Sequence, residues 1–322
     1  MTSIDLIIPC YNYAHYLPQC VDSALGQDVD GLRVLIIDNA STDKSVEVAR
    51  RLAEKDSRIE VICHETNLGP HASFNEGIDR ARADCFMILC ADDILAPGSL
   101  RRGIEVLEHC PEAAIVLGAS SEPFVGDIPP ELEPQPEGWS LLRGHDYIEQ
   151  CCRAAGQNSG AHAILIRTSV QKLAGHYRAS LTHMDDLEMV MRLACIGSVA
   201  RLRGALVVQR MHATNQLSAL WDDRRRDLQE REAAFNSFFC QEGWNIAGSK
   251  RLHRTARRRI AETAFWSAAS HFYRGKGSAG LGLLRYSLGL DPTLVVFPPV
   301  DHLFRTHGAL RRMAAVVSGE SR

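Results

Sequence analysis

Two adjacent carboxylates, Asp92 and Asp93, follow the apolar run Phe86-Met87-Ile88-Leu89-Cys90 and precede a loop containing Pro97. Side chains at the end of a strand in an open α/β sheet stand where ligands collect. Oxygen ligands there suit Mg²⁺ or Mn²⁺, ions that keep coordination positions for water and substrate phosphates. The pair therefore points to a metal that grips a diphosphate. The same dipeptide also opens an ordinary solvated turn, because Asp bonds readily to nearby backbone. Further acids stand at comparable places: Asp38 ends the run Val34-Leu35-Ile36-Ile37, and Asp185-Asp186 head a helical stretch. Acids at a helix start are also stabilised by the helix dipole, which gives the last pair a purely structural explanation.

The elements that must position these acids alternate. Ile4-Asp5-Leu6-Ile7-Ile8 reads as a buried strand stopped by Pro9, followed by helical spacing at Leu17, Cys20, Val21, Ala24 and Leu25. Val34 to Ile37 is a second strand, and Ser41-Thr42 is expected to cap a helix carrying Val46, Ala49 and Leu52. Ile59 to Ile62 is a third strand. A helix from Ala72 to Ala83 leads into a fourth strand that ends at Asp92-Asp93. Strand and helix in alternation, with nearly continuous apolar strands, imply an α/β fold with a mainly parallel sheet flanked by helices. No Gly-x-Gly-x-x-Gly follows the first strand and no Gly-x-x-x-x-Gly-Lys-Ser/Thr occurs, which argues against dehydrogenase and P-loop chemistry.

Prolines at 123, 129, 130, 134 and 136 make residues 122–138 a connection, either a mobile active-site loop or a surface insertion. Beyond it come a helix around Asp146–Ala155, a strand Ala163-Ile164-Leu165-Ile166 and a helix from Met184 to Ile196. From Leu220 the pattern is helical, with Ala264-Phe265-Ala268-Ala269-Phe272 and Leu281-Leu284-Leu288 as apolar faces of a hairpin similar to one tetratricopeptide-like unit. Two parts are expected, 1–218 and a helical C-terminal appendage, 219–322. The net charge of −3 conceals their difference: residues 219–322 carry 17 Lys and Arg against 10 Asp and Glu. That basic surface suits peripheral contact with an anionic membrane, or is a solvated face.

Ten scattered cysteines include no Cys-x-x-Cys, which fits a reducing cytoplasm rather than a zinc or disulfide framework. Residues 1–5 lack the features of a signal peptide, and no stretch approaches the roughly 20 apolar residues of a membrane span. Cytoplasmic localisation, with contact at the inner face of the membrane, is the expectation.

Four strings in order give the sequence a family likeness: Ile7-Ile8-Pro9-Cys10-Tyr11-Asn12, Ile36-Ile37-Asp38-Asn39-Ala40-Ser41-Thr42-Asp43, Asn67-Leu68-Gly69, and Ala91-Asp92-Asp93 through Pro97. Together they resemble the signatures of family 2 glycosyltransferases of the GT-A fold. Asp185-Asp186-Leu187-Glu188-Met189-Val190-Met191-Arg192-Leu193 is similar to the family's Glu-Asp-x-x-Leu-x-x-Arg-Leu segment, and Arg210-Met211-His212 with Asn215 and Ser218 continues the likeness. The resemblance covers residues 4–218.

It implies an inverting hexosyl- or related glycosyl-transferase in glycan or surface polysaccharide assembly. The donor would be a UDP-, GDP- or dTDP-sugar, the acceptor a glycan or lipid-linked sugar, and no nucleic acid would be involved. Pro9, Tyr11, Asn12, Asp38, Asn67 and Asp92 would surround the nucleotide, with Tyr11 stacked on the base and Asp38 on its polar edge. Asp92, Asp93 and His212 would hold Mn²⁺ or Mg²⁺, and Asp186 would be the general base. His183 and Asp185 would lie at the acceptor, although His183 equally suits a loop filler.

Three residues depart from the family pattern. Cys90 stands where relatives often carry the first Asp of Asp-x-Asp, which predicts a lost metal or ribose contact and weaker metal dependence. Asn39 replaces an acid, and Phe74 stands where Arg is frequent. Two other functions remain open: a catalytically impaired nucleotide-sugar-binding protein, and a sugar-nucleotide nucleotidyltransferase. The second needs a basic, Gly-rich loop after the first strand, whereas Pro9-Cys10-Tyr11-Asn12-Tyr13 is neither.

Overall fold

The computed structural model describes residues 2–119, 121–128, 131–157, 164–212 and 223–302. Ala163, Asn215 and Ser218 lie outside the described residues, as do Pro129 and Pro130. Two compact bodies divide the chain: 1–148, 160–180 and 189–215 form one, and 149–159, 181–188 and 216–322 the other.

The first body is built on an eight-stranded sheet. Strands β1 (Ile4–Cys10), β2 (Leu32–Asp38), β3 (Ile59–Cys63) and β4 (Cys85–Ile88) alternate with helices α1 (Leu17–Leu25), α2 (Ser45–Lys55) and α3 (Pro70–Arg80). After β4 come the two-residue β5 (Ile94–Leu95), α4 (Ser99–His109), β6 (Ala113–Leu117), β7 (Phe124–Val125) and β8 (Trp139–Leu142). Then follow α5 (Gly144–Arg153), β9 (Ile164–Arg167), α6 (Thr168–Ala174), α7 (Asp185–Ile196), β10 (Ser198–Leu202), β11 (Val207–Val208) and β12 (Arg210–Met211).

The strand order is β3-β2-β1-β4-β9-β6-β10-β8. Strands β9 and β8 pair antiparallel to their neighbours and the others run together, so the sheet is mainly parallel. Its central strands read as unbroken apolar runs because helices cover both faces, and Leu6, Ile7, Ile8, Val34, Leu35 and Ile36 have no exposed surface.

Pro9 does not stop β1. The strand continues to Cys10, in register with Asp38. Ile7 is the last β1 residue paired with β4, and its carbonyl accepts from the Leu89 amide at 2.9 Å. Pro9, two residues on, turns its missing N–H towards that same, now unpaired side, where a proline costs no ladder bond. The fourth strand likewise ends sooner than its apolar run suggests. It stops at Ile88, and Cys90-Asp93 closes a turn through the Asp93 amide to the Cys90 carbonyl at 3.0 Å.

Helix α2 begins at Ser45, later than the Ser41-Thr42 cap expected. Ser41 is occupied by Asp38, and Asp43 instead accepts from the Ser45 amide at 2.8 Å. Among the described residues the Pro-rich connection contains one strand pairing, β7 with β12, in register Phe124↔Arg210. Strand β5 pairs antiparallel with β11. These two-residue ladders carry 207–212 across the turn that bears Asp92 and Asp93.

Helices α8 (Arg224–Cys240), α9 (Ser249–Tyr273) and α10 (Gly277–Leu290) dominate the second body. The α9–α10 hairpin matches the expected one, but its seam differs. On α10 the buried residues are Gly280, Leu283 and Ser287, while Leu281 is exposed. Small residues let the helices approach until Ser287 Oγ donates to the Ala261 carbonyl at 2.8 Å, which the bulkier Leu281-Leu284-Leu288 face would prevent. Glu262, fully buried on α9, is balanced by Arg259 at 2.7 Å and Arg258 at 3.2 Å. Among the described residues, no helix is long and apolar enough to cross a membrane.

Candidate functional site

The residues expected at the nucleotide lie on loops at the carboxyl edge of one half of the sheet, where the parallel strands β3, β2, β1 and β4 end side by side. With interstrand spacings of about 4.8 Å, three steps carry the edge roughly 14 Å from the Asn67 loop to the Asp92 turn. The loops between are fastened to one another. Asn12, in the left-handed region at φ 60°, accepts through Oδ1 from the amides of Thr42 at 2.8 Å and Asp43 at 3.3 Å. Its own amide donates to Ser41 Oγ at 2.9 Å. Asp38 is fully buried and accepts from the Ser41 amide at 2.9 Å and its hydroxyl at 2.5 Å. Tyr11, by contrast, is 41% exposed, a ring available to a partner.

Asn67 is brought to this edge by Asn39. Asn39 Nδ2 donates to Asn67 Oδ1 at 3.0 Å and to the Gly69 carbonyl at 3.1 Å. Asn39 Oδ1 accepts from the Leu68 amide at 2.9 Å and meets His64 Nδ1 at 2.8 Å, while His64 Nε2 meets Glu76 at 2.6 Å. An amide suits this place better than an acid, since Asn39 both donates and accepts. The departure at Asn39 is thus structural, and so is that at Phe74. Phe74 packs edge-on against Tyr177 with centroids 5.6 Å apart, and Asn75 exchanges two hydrogen bonds with the Tyr177 backbone.

The acidic turn is the most charged part of the edge. Asp92 and Asp93 are each 8% exposed. Burial, reinforced by the charge of Asp92, pushes the Asp93 carboxyl up to about 7. Asp93 Oδ1 accepts from the Arg210 amide at 2.9 Å. The Arg210 guanidinium donates to the Asp92 carbonyl at 2.9 Å, to the Gly126 carbonyl at 2.7 Å and to Gln19 Oε1. It lies between the rings of Tyr16, 4.5 Å away, and Phe124, 4.6 Å away. His212 Nε2 donates to Asp92 Oδ2 at 2.9 Å, so His212 reaches the site as a partner of a carboxylate and orients it. Tyr13 stands edge-on to His212, and burial with the nearby Asp92 charge pushes its phenol well up.

Oxygens of Asp92 and Asp93 and the sulfur of Cys90 lie within 4.8 Å of one another. Two clustered carboxylates with a third donor, buried at a strand end, fit a divalent cation by the chemistry of the set. Arg210, Gln19 and Tyr13 were not singled out from sequence for this site. A fully buried arginine has little signature of its own.

His183, Asp185 and Asp186 belong to the second body. Asp185 and Asp186 open α7. Burial, followed by the charge of Asp185, pushes the Asp186 carboxyl well above the ordinary carboxylate range. His183 Nε2 accepts from Arg226 at 3.3 Å. Arg192, the basic member of the same segment, lies in the first body, where it donates to the carbonyls of Ala174 and, at 2.7 Å, His176. It secures the loop after α6.

The model of the family described as "Glycosyl transferase family 2" matches residues 5–173. The chain belongs to glycosyl transferase family 2. A Haemophilus influenzae glycosyltransferase is 35% identical over 107 residues, covering 33% of this chain and 43% of that protein. The match spans 33% to 43% of the length of that relative and of two others, from Bacillus subtilis and Nostoc. Bacillus subtilis EpsH, named a putative glycosyltransferase, is 22% identical over 79% of this chain and 81% of its own.

Among solved structures, S. aureus TarS 1-349 in complex with UDP superposes with a TM-score of 0.58 at 14% identity, covering 91% of this chain and 82% of that one. The Pyrobaculum calidifontis mannosyltransferase PcManGT, in complex with GDP-Man and Mn²⁺, gives 0.52 at 17% identity over 92% and 88%. These likenesses show the GT-A fold expected from the sequence. Family membership argues against the nucleotidyltransferase alternative.

Proposed function

We propose that this family 2 protein is an inverting glycosyltransferase that moves a sugar from a nucleoside-diphosphate donor to an acceptor hydroxyl of a growing glycan or lipid-linked sugar. The observation that carries the reading is the buried Asp92-Asp93 pair. Burial, and after it the charge of Asp92, raises the Asp93 carboxyl, and a cationic ligand at the pair would favour both carboxylates in their charged form.

Asp92 and Asp93, with His212 bonded to Asp92, are the residues that would hold Mn²⁺ or Mg²⁺. When bound, such an ion supplies positive charge against the diphosphate as it departs. Asp38 and Asn67 shape the nucleotide end of the edge, and Tyr11 offers its ring to the base. Arg210 and His212 keep both carboxylates aimed, so that little reorganisation is left for the reaction itself.

Asp186 acts as general base in this reading. Its raised basicity lets it accept the acceptor hydroxyl proton as that oxygen forms its bond to the anomeric carbon and the sugar–phosphate bond breaks on the other face. One displacement inverts the configuration. His183 and Asp185 border the acceptor. The basic helices, rich in arginine along α9, are proposed to approach anionic lipid where a lipid-linked acceptor resides.

Thermal shifts with UDP, GDP, dTDP and CDP in the presence of Mn²⁺ test the donor class. One nucleotide should raise the melting temperature in proportion to the logarithm of its saturation. Failure of all four, together with unchanged stability in Mn²⁺, would contradict the reading.

A further inference from the structure

His64, the first residue past β3, reaches both Asp38 and Asn39 at the end of β2. Its amide donates to the Asp38 carbonyl at 2.9 Å. Its ring, 9% exposed, meets Asn39 Oδ1 through Nδ1 at 2.8 Å and Glu76 Oε2 of α3 through Nε2 at 2.6 Å. The orientation of the Asn39 amide is fixed by backbone groups that have one role each. The Leu68 N–H can only donate, so Oδ1 faces it, and the Gly69 carbonyl can only accept, so Nδ2 faces that. Nδ1 of His64 therefore meets an acceptor and carries hydrogen.

Nε2 meets a carboxylate. Burial raises the Glu76 carboxyl, but hydrogen bonds from His64 and from Arg80 Nε, at 2.8 Å, outweigh it and hold the group below its ordinary value. Glu76 is thus an acceptor, and both ring nitrogens donate. A histidine that donates twice is the imidazolium. Among the described residues, the charged groups facing the ring are Glu76 and, across it, Arg80, both from α3. Asn39 is neutral, Asp38 spends its carboxylate oxygens on Ser41, and Glu65, next along the chain, is exposed.

The amide that this ring holds fastens the loop before α3. Asn39 Nδ2 donates to Asn67 Oδ1 at 3.0 Å, which also accepts from the Gly69 amide at 2.9 Å, and Gly69 lies in the left-handed region at φ 82°. Leu68, between them, is 62% exposed.

We propose that His64, in its doubly protonated form, is a positioning residue for the donor nucleotide: it holds the Asn39 amide in the orientation that fastens Asn67-Leu68-Gly69, and donor affinity depends on its proton. The proposal rests on the reading above that this edge takes the nucleotide. When the ring loses a proton, a lone pair faces Glu76 or Asn39 Oδ1, one attraction becomes a repulsion, and the amide is released to turn. Affinity is full while the ring is charged and falls as pH rises through the histidine range, about 5 to 8.

The test compares the native chain with His64→Gln by calorimetry between about pH 6 and about pH 8, using UDP, GDP, dTDP and CDP in turn with Mn²⁺. The ratio of the two affinities cancels every titration they share, that of Asp93 and of the phosphates included. The native protein should bind about 10-fold more tightly at the acid end, the scale of one charge-assisted hydrogen bond, and the gap should close at the alkaline end. In a Glu76→Gln background a neutral ring makes both bonds, so His64→Gln should there cost the same at every pH. Histidine-selective ¹⁵N spectra add a readout that packing alone does not move. At the acid end both His64 ring nitrogens should carry hydrogen in the native protein, and one should not in Glu76→Gln.

A ratio flat with pH, or a bare His64 ring nitrogen in the native protein at the acid end, would overturn the proposal and leave the donor-site reading standing. Lower stability of His64→Gln with unchanged affinity would do the same, by making His64 a structural residue only. If no nucleotide binds the native protein at any pH, both fall.

Discussion

The backbone amide of Arg210 donates to Asp93 Oδ1 at 2.9 Å across 117 positions of sequence. That bond joins the turn after β4 to a two-residue strand near the end of the first body. The same arginine's side chain holds the Asp92 carbonyl, so one residue secures both members of the acidic pair. An acidic turn held in this way has both carboxylates placed before any cation arrives.

Arg210→Ala should therefore act on both stability and binding. It strips partners from the Asp92 and Gly126 carbonyls and from Gln19, and leaves a cavity between Tyr16 and Phe124. A loss of about 2–4 kcal/mol in urea unfolding is expected, with weakened metal-dependent nucleotide binding. Arg210→Lys should restore little, because an ammonium cannot reproduce the planar fork.

Asp186→Asn should lower turnover about 10²–10⁴-fold while nucleotide affinity stays near the native value. The pH profile gives a second readout. As the proposed base Asp186 must be ionised, and burial, followed by the charge of Asp185, raises its carboxyl, so the acid limb of kcat should lie above the ordinary carboxylate range. Asp185→Asn removes the neighbouring charge and should move that limb to lower pH. An unmoved limb would assign the base elsewhere.

Asp5 supplies the acid-stability prediction. Burial alone would raise its carboxyl, but Arg33 and the amides of Ala83 and Arg82 together hold it below the ordinary 3.8. A depressed carboxyl contributes stability that is full above 3.8 and lost as pH falls through its lower folded value. Asp5→Ala should cost about 3 kcal/mol at neutral pH, because Arg33 is left without this buried partner. The gap between native and variant should close in acid-unfolding experiments below that range. A gap independent of pH would show that packing rather than charge is at stake.

Gly77 lets α3 lie against β1. An added Cβ would stand 2.4 Å from Ile7 Cγ2, so the helix or the strand must move. Gly77→Ala is expected to cost about 1–3 kcal/mol of stability, measured by denaturant unfolding.

The alternation of buried strands and helices was legible because the central strands carry unbroken apolar runs, and the Asp92-Asp93 pair was legible because it breaks one of them. The partners of that pair were not. Strands β5, β7, β11 and β12 have two residues each, too few for any periodicity, and their pairings join positions about a hundred residues apart. Asn39, Phe74 and Arg192 matched or departed from family strings, but their hydrogen bonds and ring contacts follow from tertiary geometry that no string records. Pro9 misled locally: a proline ends a ladder only where its missing N–H faces a partner, and at Cys10 the one remaining neighbour is on the other side.

The central claim is that the acidic turn holds a metal through which the donor diphosphate is gripped. Calorimetric affinity for the nucleotide that best stabilises the protein, measured in Mn²⁺ and again with chelator, tests it most directly when repeated in Asp93→Asn. Tight binding is expected only for the native protein in Mn²⁺, with about 10-fold or greater loss on chelation or substitution. Equal affinity in all three conditions would contradict it.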